Sequence, residues 1–232
     1  MKISHRILAS SFLLLLFAGS SLASGPDSCR GKIIFDSLYV VSVNKSLPRY
    51  YIRLVEREDT AEAYRSWYYE FQIQQSISGP AFQDICGESF SSFDEMDNDD
   101  YPGIEFVDLN FDGYLDIKMF NDRAANGVNS GYAVYLFDPV AQRFSYSQQF
   151  SDIMGGYSIE LDSTKQEITS SGELGCMGGC WSIDTYKVVA DSLVLIKRVH
   201  QDQQHPGEFV LIKEQMINGI LTVTSKEKVK WP

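Results

Sequence analysis

Strand-like runs recur about every ten residues along this chain, with little of helical period between them. "KIIFDSLYVVSV" (Lys32 to Val43), "RYYIRLVER" (Arg49 to Arg57), "YSIELD", "QEITSS", "CWSIDTYKVVA" and "SLVLIKRVHQ" are short and rich in β-branched and aromatic residues. "GYAVYLFDP" (Gly131 to Pro139) and "RFSYSQQF" (Arg143 to Phe150) flank a short turn and read as a hairpin. In "EFVLIKEQMINGILTVTSKEKV", Asn218-Gly219 separates two apolar runs, and both residues tolerate the positive φ of a type I′ turn. "AEAYRSWYYEFQIQQ" (Ala61 to Gln75) is two-sided: its start suits a helix and its aromatic second half a strand. "DEMDNDDYPG" (Asp94 to Gly103) reads as a solvated acidic loop. The pattern predicts an all-β domain, either a sandwich or a propeller-like array. No strict internal repeat supports a regular propeller.

Inside that pattern, "VDLNFDGYLDI" (Val107 to Ile117) places acidic or amide side chains at alternate positions. Asp108, Asn110 and Asp112 fall at positions 1, 3 and 5 of a calcium loop, and Gly113 at position 6 permits the sharp turn. Tyr114 offers its carbonyl at position 7 and Asp116 its carboxylate at position 9. Position 12 carries Met119 where an EF-hand has a bidentate Glu, so the segment reads as an EF-hand-like loop set between strands. The expected cofactor is Ca²⁺ in a structural role; the alternative is a polar turn without metal.

The first residues have the form of a secretory signal. Lys2 and Arg6 precede the apolar run Ile7 to Gly19, and Ser21 and Ala23 are small residues at the positions a signal peptidase reads. Cleavage after Ala23 leaves one exported domain from residue 24 to 232, with no further apolar run long enough to cross a bilayer. Losing Lys2 and Arg6 makes a chain of formal charge −11 two units more negative. Such a surface disfavours nucleic acid and anionic lipid and favours basic partners and divalent cations. Four cysteines remain: Cys29, Cys86, Cys176 and Cys180. An even count in an exported chain reads as disulfides. "CMGGC" can close on itself, which leaves Cys29 with Cys86; a zinc site is the rival reading, weakened by the lack of a second close cysteine pair.

The sequence carries no recognisable catalytic set. His5 leaves with the signal, and His200 and His205 lie in a polar stretch. There is no nucleophile elbow, zincin helix or P-loop. A carboxylate pair for glycoside hydrolysis is the one catalytic alternative, so the expectation is a protein that is not an enzyme.

"VDLNFDGYLDI" followed by "NGVNSGYAVYLFDPVAQRF" (Asn126 to Phe144) resembles the periplasmic calcium-binding β-propeller-like proteins that act as immunity partners, inhibiting the lysozyme-like effectors of bacterial-killing type IV secretion systems. The resemblance covers Val107 to Phe150 well and the rest only in strand content. It implies a single propeller-like domain, calcium on Asp108, Asn110, Asp112, Tyr114 and Asp116, and a partner that is a lysozyme-like peptidoglycan hydrolase, blocked by occlusion of its active site. Lysozyme inhibitors of other folds plug the cleft with a Ser-Gly loop and a nearby Tyr. Two segments here are similar: Ser130, Gly131 and Tyr132 in "NSGYAVY", and Ser171 and Gly172 in "SSGELGC". The alternative function is a calcium-stabilised envelope module that recognises glycan or protein.

Overall fold

The computed structural model describes residues 29, 31–59, 66–89, 103–123, 129–156 and 158–230. The expected signal segment, residues 1–23, lies outside them, as do residues 94–102 of the acidic stretch and 61–65 of the two-sided segment.

The described residues form three antiparallel sheets, and in each of them every strand pairs with its neighbour in sequence. The first holds β1 (Lys32–Val41), β2 (Tyr50–Asp59), β3 (Ser66–Gln74) and β4 (Gln83–Ser89). The second holds β5 (Ile104–Val107), β6 (Asp116–Arg123), β7 (Ser130–Asp138) and β8 (Arg143–Tyr146). The third runs from β9 (Ser158–Asp162) and β10 (Glu167–Gly175) through β11 (Cys180–Val189) and β12 (Ser192–His205) to β13 (Glu208–Ile217) and β14 (Ile220–Lys230). The architecture is all-β, and none of the three meanders closes on itself.

Two-residue periodicity explains how the layers meet. Tyr50, Ile52 and Leu54 alternate along β2 and are fully buried, while Arg53 between them turns outward to a bidentate pair with Asp36 at 2.9 and 2.6 Å. Their buried face joins Tyr69, Phe71 and Ile73 of β3 in one core with Ile117, Met119, Tyr135 and Phe137 of the second sheet. On β7, Ala133, Val134 and Tyr135 are consecutive and all buried, as Leu54, Val55 and Glu56 are at the middle of β2. Consecutive burial means that both faces are covered. Tyr135 and Phe137 face the first sheet, and Val134 enters a second core with Phe150, Met154, Ile168 and Val188.

That second core contains a helix where the sequence reads as strand. "RFSYSQQF" reads as a strand through Phe150, but β8 stops at Tyr146 and a helix, α1, spans Gln148–Met154. The physical reason is the spacing of Phe150 and Met154, both fully buried one helical turn apart. The helix is tied down at its middle and its C-terminal end: Ser151 Oγ accepts from the Val134 amide at 3.0 Å, and Ser170 Oγ donates to the Ile153 carbonyl at 2.6 Å. Both disulfides form, Cys29–Cys86 and Cys176–Cys180, with Cα separations of 6.0 and 5.3 Å. Paired cysteines are the mark of an oxidising compartment. Among the described residues no helix is long and apolar enough to cross a membrane.

Candidate functional site

The aspartate loop sits between β5 and β6, where the chain reverses. Gly113 adopts φ +87°, a left-handed conformation that costs glycine little. Asp108 accepts from the amides of Asp112 and Gly113 at 3.1 and 2.9 Å, and Asp112 Oδ1 accepts from the Tyr114 amide at 2.9 Å. Asp116 is 0% exposed, and its two oxygens accept from Leu109 at 2.9 Å and from Phe137 on β7 at 2.8 Å. It is a strut between the loop and the middle of the second sheet. Burial pushes the Asp116 carboxyl up to about 7, against the pull of those two amides, and the Asp112 and Asp108 charges add to the rise. Asp112 is also raised, by burial first and then by Asp108 and Asp191.

All three sheets reach this loop. Asn44, after β1, donates to the Gly113 carbonyl at 2.6 Å, and Leu115 donates to the Val43 carbonyl at 2.9 Å. Asp191, in the turn between β11 and β12, accepts from Asn110 Nδ2 at 2.8 Å, and the same amide donates to Asp112 Oδ2 at 3.1 Å. Sequence reading missed Asn44 and Asp191. Neither lies near the motif in the chain, and the only local signal for Asp191 is its place in a tight turn, at φ +59°.

The loop carries oxygen donors only, the kind that a hard cation takes: three carboxylates lie on the loop itself and Asp191 reaches Asn110 from the third sheet. Each carboxylate offers about four acceptor positions, and the amide bonds use part of them. Among the described residues no three His, Cys, Asp or Glu side chains are grouped closely enough to hold a metal ion.

The two Ser-Gly segments come together in space, 41 residues of sequence notwithstanding. Asn129, just before β7, donates from Nδ2 to the Glu173 carbonyl at 2.8 Å and accepts the Glu173 amide at 3.0 Å. Neither segment is the protruding loop that the sequence suggests. Ser130 to Tyr132 are paired with β6, and the Tyr132 ring packs edge-on against Phe120 under the Lys118 ammonium, 4.2 Å from its centroid. Ser171 and Gly172 are paired with β11, and Ser171 Oγ shares a 2.7 Å hydrogen bond with Ser158 Oγ.

The protrusion begins two residues further on. From Gly175 to Gly178 every residue has positive φ, at 104°, 56°, 55° and 84°. This unusual run is closed at its base by the Cys176–Cys180 bond. Leu174 is 60% exposed and Met177 100% exposed. A shallow groove of about 260 Å³ beside the tip is lined by Gly172, Glu173, Trp181 and Ile183. The signal was present in "ELGCMGGC": an apolar residue held inside a very short cysteine loop has nowhere to bury itself.

His200 lies in a polar stretch of sequence but not in solvent. It is largely buried on β12, with Nε2 3.5 Å from Asp202 and Nδ1 3.7 Å from Glu214. Next to it Arg198 makes a bidentate pair with Asp184 at 2.8 and 2.7 Å.

No family model matches this chain. No curated protein matches it in sequence. Among solved structures, the fold is similar to that of a Xanthomonas type IV secretion system related protein, at 19% identity and a TM-score of 0.52, over 82% of this chain and 99% of that one. At that identity the likeness concerns the fold.

Proposed function

We propose that this protein is a periplasmic, type IV secretion system-associated inhibitor that blocks a lysozyme-like peptidoglycan hydrolase by occlusion, without chemistry of its own. The observation that carries the reading is the hairpin tip: Leu174 and Met177 stand in solvent on a backbone fixed by a disulfide. A pre-ordered apolar projection loses little entropy on entering a cleft, so more of its contact energy appears as affinity. The asparagine clamp at Glu173 holds the base of the projection against β7. The likeness to a type IV secretion system related protein supports the association, and the formal charge of −11 suits encounter with a basic hydrolase. The aspartate loop takes one calcium ion through Asp108, Asn110, Asp112, the Tyr114 carbonyl and Asp116; the ion supplies positive charge where carboxylates gather. Between the two architectures that the strand pattern allowed, we favour a stack of layered sheets, because β7 is covered on both faces.

The test is clearing of a cell-wall suspension by lysozyme-like hydrolases encoded beside type IV secretion systems, with the purified protein added at increasing molar ratio. Stoichiometric arrest of clearing is expected, with Met177→Asp abolishing it. Unchanged clearing at a large molar excess across the panel overturns the reading.

A further inference from the structure

At the open edge between the first and second sheets lies a cavity of about 490 Å³, lined among others by Tyr69, Asp84, Tyr135, Phe144 and Tyr146. That volume falls within the roughly 300–1,000 Å³ of small-molecule sites. Its floor is a pair of buried phenols, with Tyr69 and Tyr135 joined through their hydroxyls at 2.8 Å. Tyr69 reaches Tyr135 because its register partner on β4 is Gly87. A Cβ at position 87 would stand 2.1 Å from the Tyr69 hydroxyl and ring, so any side chain there displaces the phenol. At the mouth, Tyr146 is 53% exposed and meets Tyr135 edge-on, centroids 5.6 Å apart. Asp84 is exposed beside it.

The walls are fixed independently of any ligand. The Gln83 side chain donates to the Phe144 carbonyl at 2.6 Å and accepts the Phe144 amide at 3.0 Å, which joins β4 to β8 across the sheets. Cys86, in the same wall, is bonded to Cys29. This is a preformed site, and its edge-strand position leaves it open to solvent.

The chemistry of the lining selects a ligand class. The bond between the phenols uses one hydroxyl hydrogen; the second has no acceptor among the described residues. Burial raises both phenols, so both keep their hydrogens at neutral pH. The floor therefore offers a donor and unused lone pairs, the mouth offers a carboxylate acceptor, and Tyr146 and Phe144 offer apolar ring surface. An ammonium or guanidinium answers Asp84 but brings no acceptor for the phenol hydrogen. An anion is repelled by Asp84. A pyranose ring carries donors and acceptors around its rim and C–H groups on its face, and it satisfies all three.

We propose that this cavity binds one pyranose ring of a neutral or N-acetylated glycan, using Tyr146 as a stacking platform and Asp84 and the Tyr69–Tyr135 pair as hydrogen-bonding partners. The site is separate from the hairpin tip and gives the protein a hold on polysaccharide while the tip is free.

The experiment is titration of the purified protein with tri-N-acetylchitotriose, followed by amide and side-chain NMR shifts, with N-acetyl-arginine amide in parallel. Saturable shifts at residues around Tyr135 and Tyr146 with the sugar are expected. Tyr146→Ala and Asp84→Asn, both at the solvent-exposed mouth, weaken binding by roughly tenfold or more, and Met177→Asp leaves it unchanged. No saturation at sugar concentrations on the order of 20 mM overturns the proposal. So does saturable binding of the arginine derivative in place of the sugar, or equal sugar affinity in both mouth variants. Arrest of wall clearing by Tyr146→Ala at wild-type potency separates this proposal from the inhibitory reading, since each can fail alone.

Discussion

The aspartate loop and the hairpin tip are both rigid, and for opposite purposes. The loop is fixed by hydrogen bonds that reach outward to all three sheets, through Asn44, Asp191 and the Phe137 amide. The tip is fixed by its own disulfide and a run of left-handed residues, and its apolar side chains touch little. Where rigidity comes from neighbours, a segment holds the fold together. Where it is local, the segment is left free to meet something else. The two regions should therefore respond to mutation in opposite ways.

The largest effect is expected at Asp116. Asp116→Ala strands two buried amides, and on the order of 3 kcal/mol of stability is lost in urea unfolding; inhibition by the fraction that stays folded is unchanged. A neutral result would mean that the loop is not a strut. Calcium comes next. At a hundredfold excess over its dissociation constant it adds about 2.7 kcal/mol, read as a rise in melting temperature that a chelator reverses and that Asp112→Asn removes. A melting curve indifferent to calcium and chelator would leave the loop as a metal-free turn.

The tip variants reverse the balance. Replacing Cys176 and Cys180 together by Ser opens a very short loop, and the chain-entropy cost is about 2 kcal/mol. Partner affinity falls further than that figure implies, because the projection is no longer ordered before binding. Asn129→Ala releases Glu173 at a cost of about 1 kcal/mol, and hydrogen exchange at the Glu173 amide quickens. Met177→Ala leaves unfolding unchanged, since a fully exposed side chain buries nothing on folding, while affinity for the hydrolase drops about tenfold. A Met177→Ala protein that is less stable but inhibits equally well would break the contrast outright.

Much of the fold was legible because strands carry their signal locally. Tyr50, Ile52 and Leu54 alternate in the sequence as they do in the core, and Asn218-Gly219 takes positive φ at both residues, 53° and 79°. β4 was not legible. "QDICGES" has one large aliphatic residue, Ile85, and its pairing is imposed by β3. The helix escaped notice because its apolar pair begins at the end of a run that looks like strand. The aspartate motif announced an oxygen-rich loop, and the side chains that dock on it could not be read from the motif, because sheet packing brings them from 69 and 81 residues away. The Ser-Gly pairs lie within paired strands, and the exposed apolar residues of that hairpin are Leu174 and Met177.

A strand wet on neither side has a consequence for how this protein can be cut. Expressed without the helix and the last six strands, the first two sheets would turn Val134 to water, and the remnant would clump. Expressed alone, the carboxy-terminal sheet would keep Ile168 and Val188 with nothing to lean on. Neither half is a module to be borrowed for a fusion; mixed together, the two should rescue each other's solubility, as the pieces of a split reporter do.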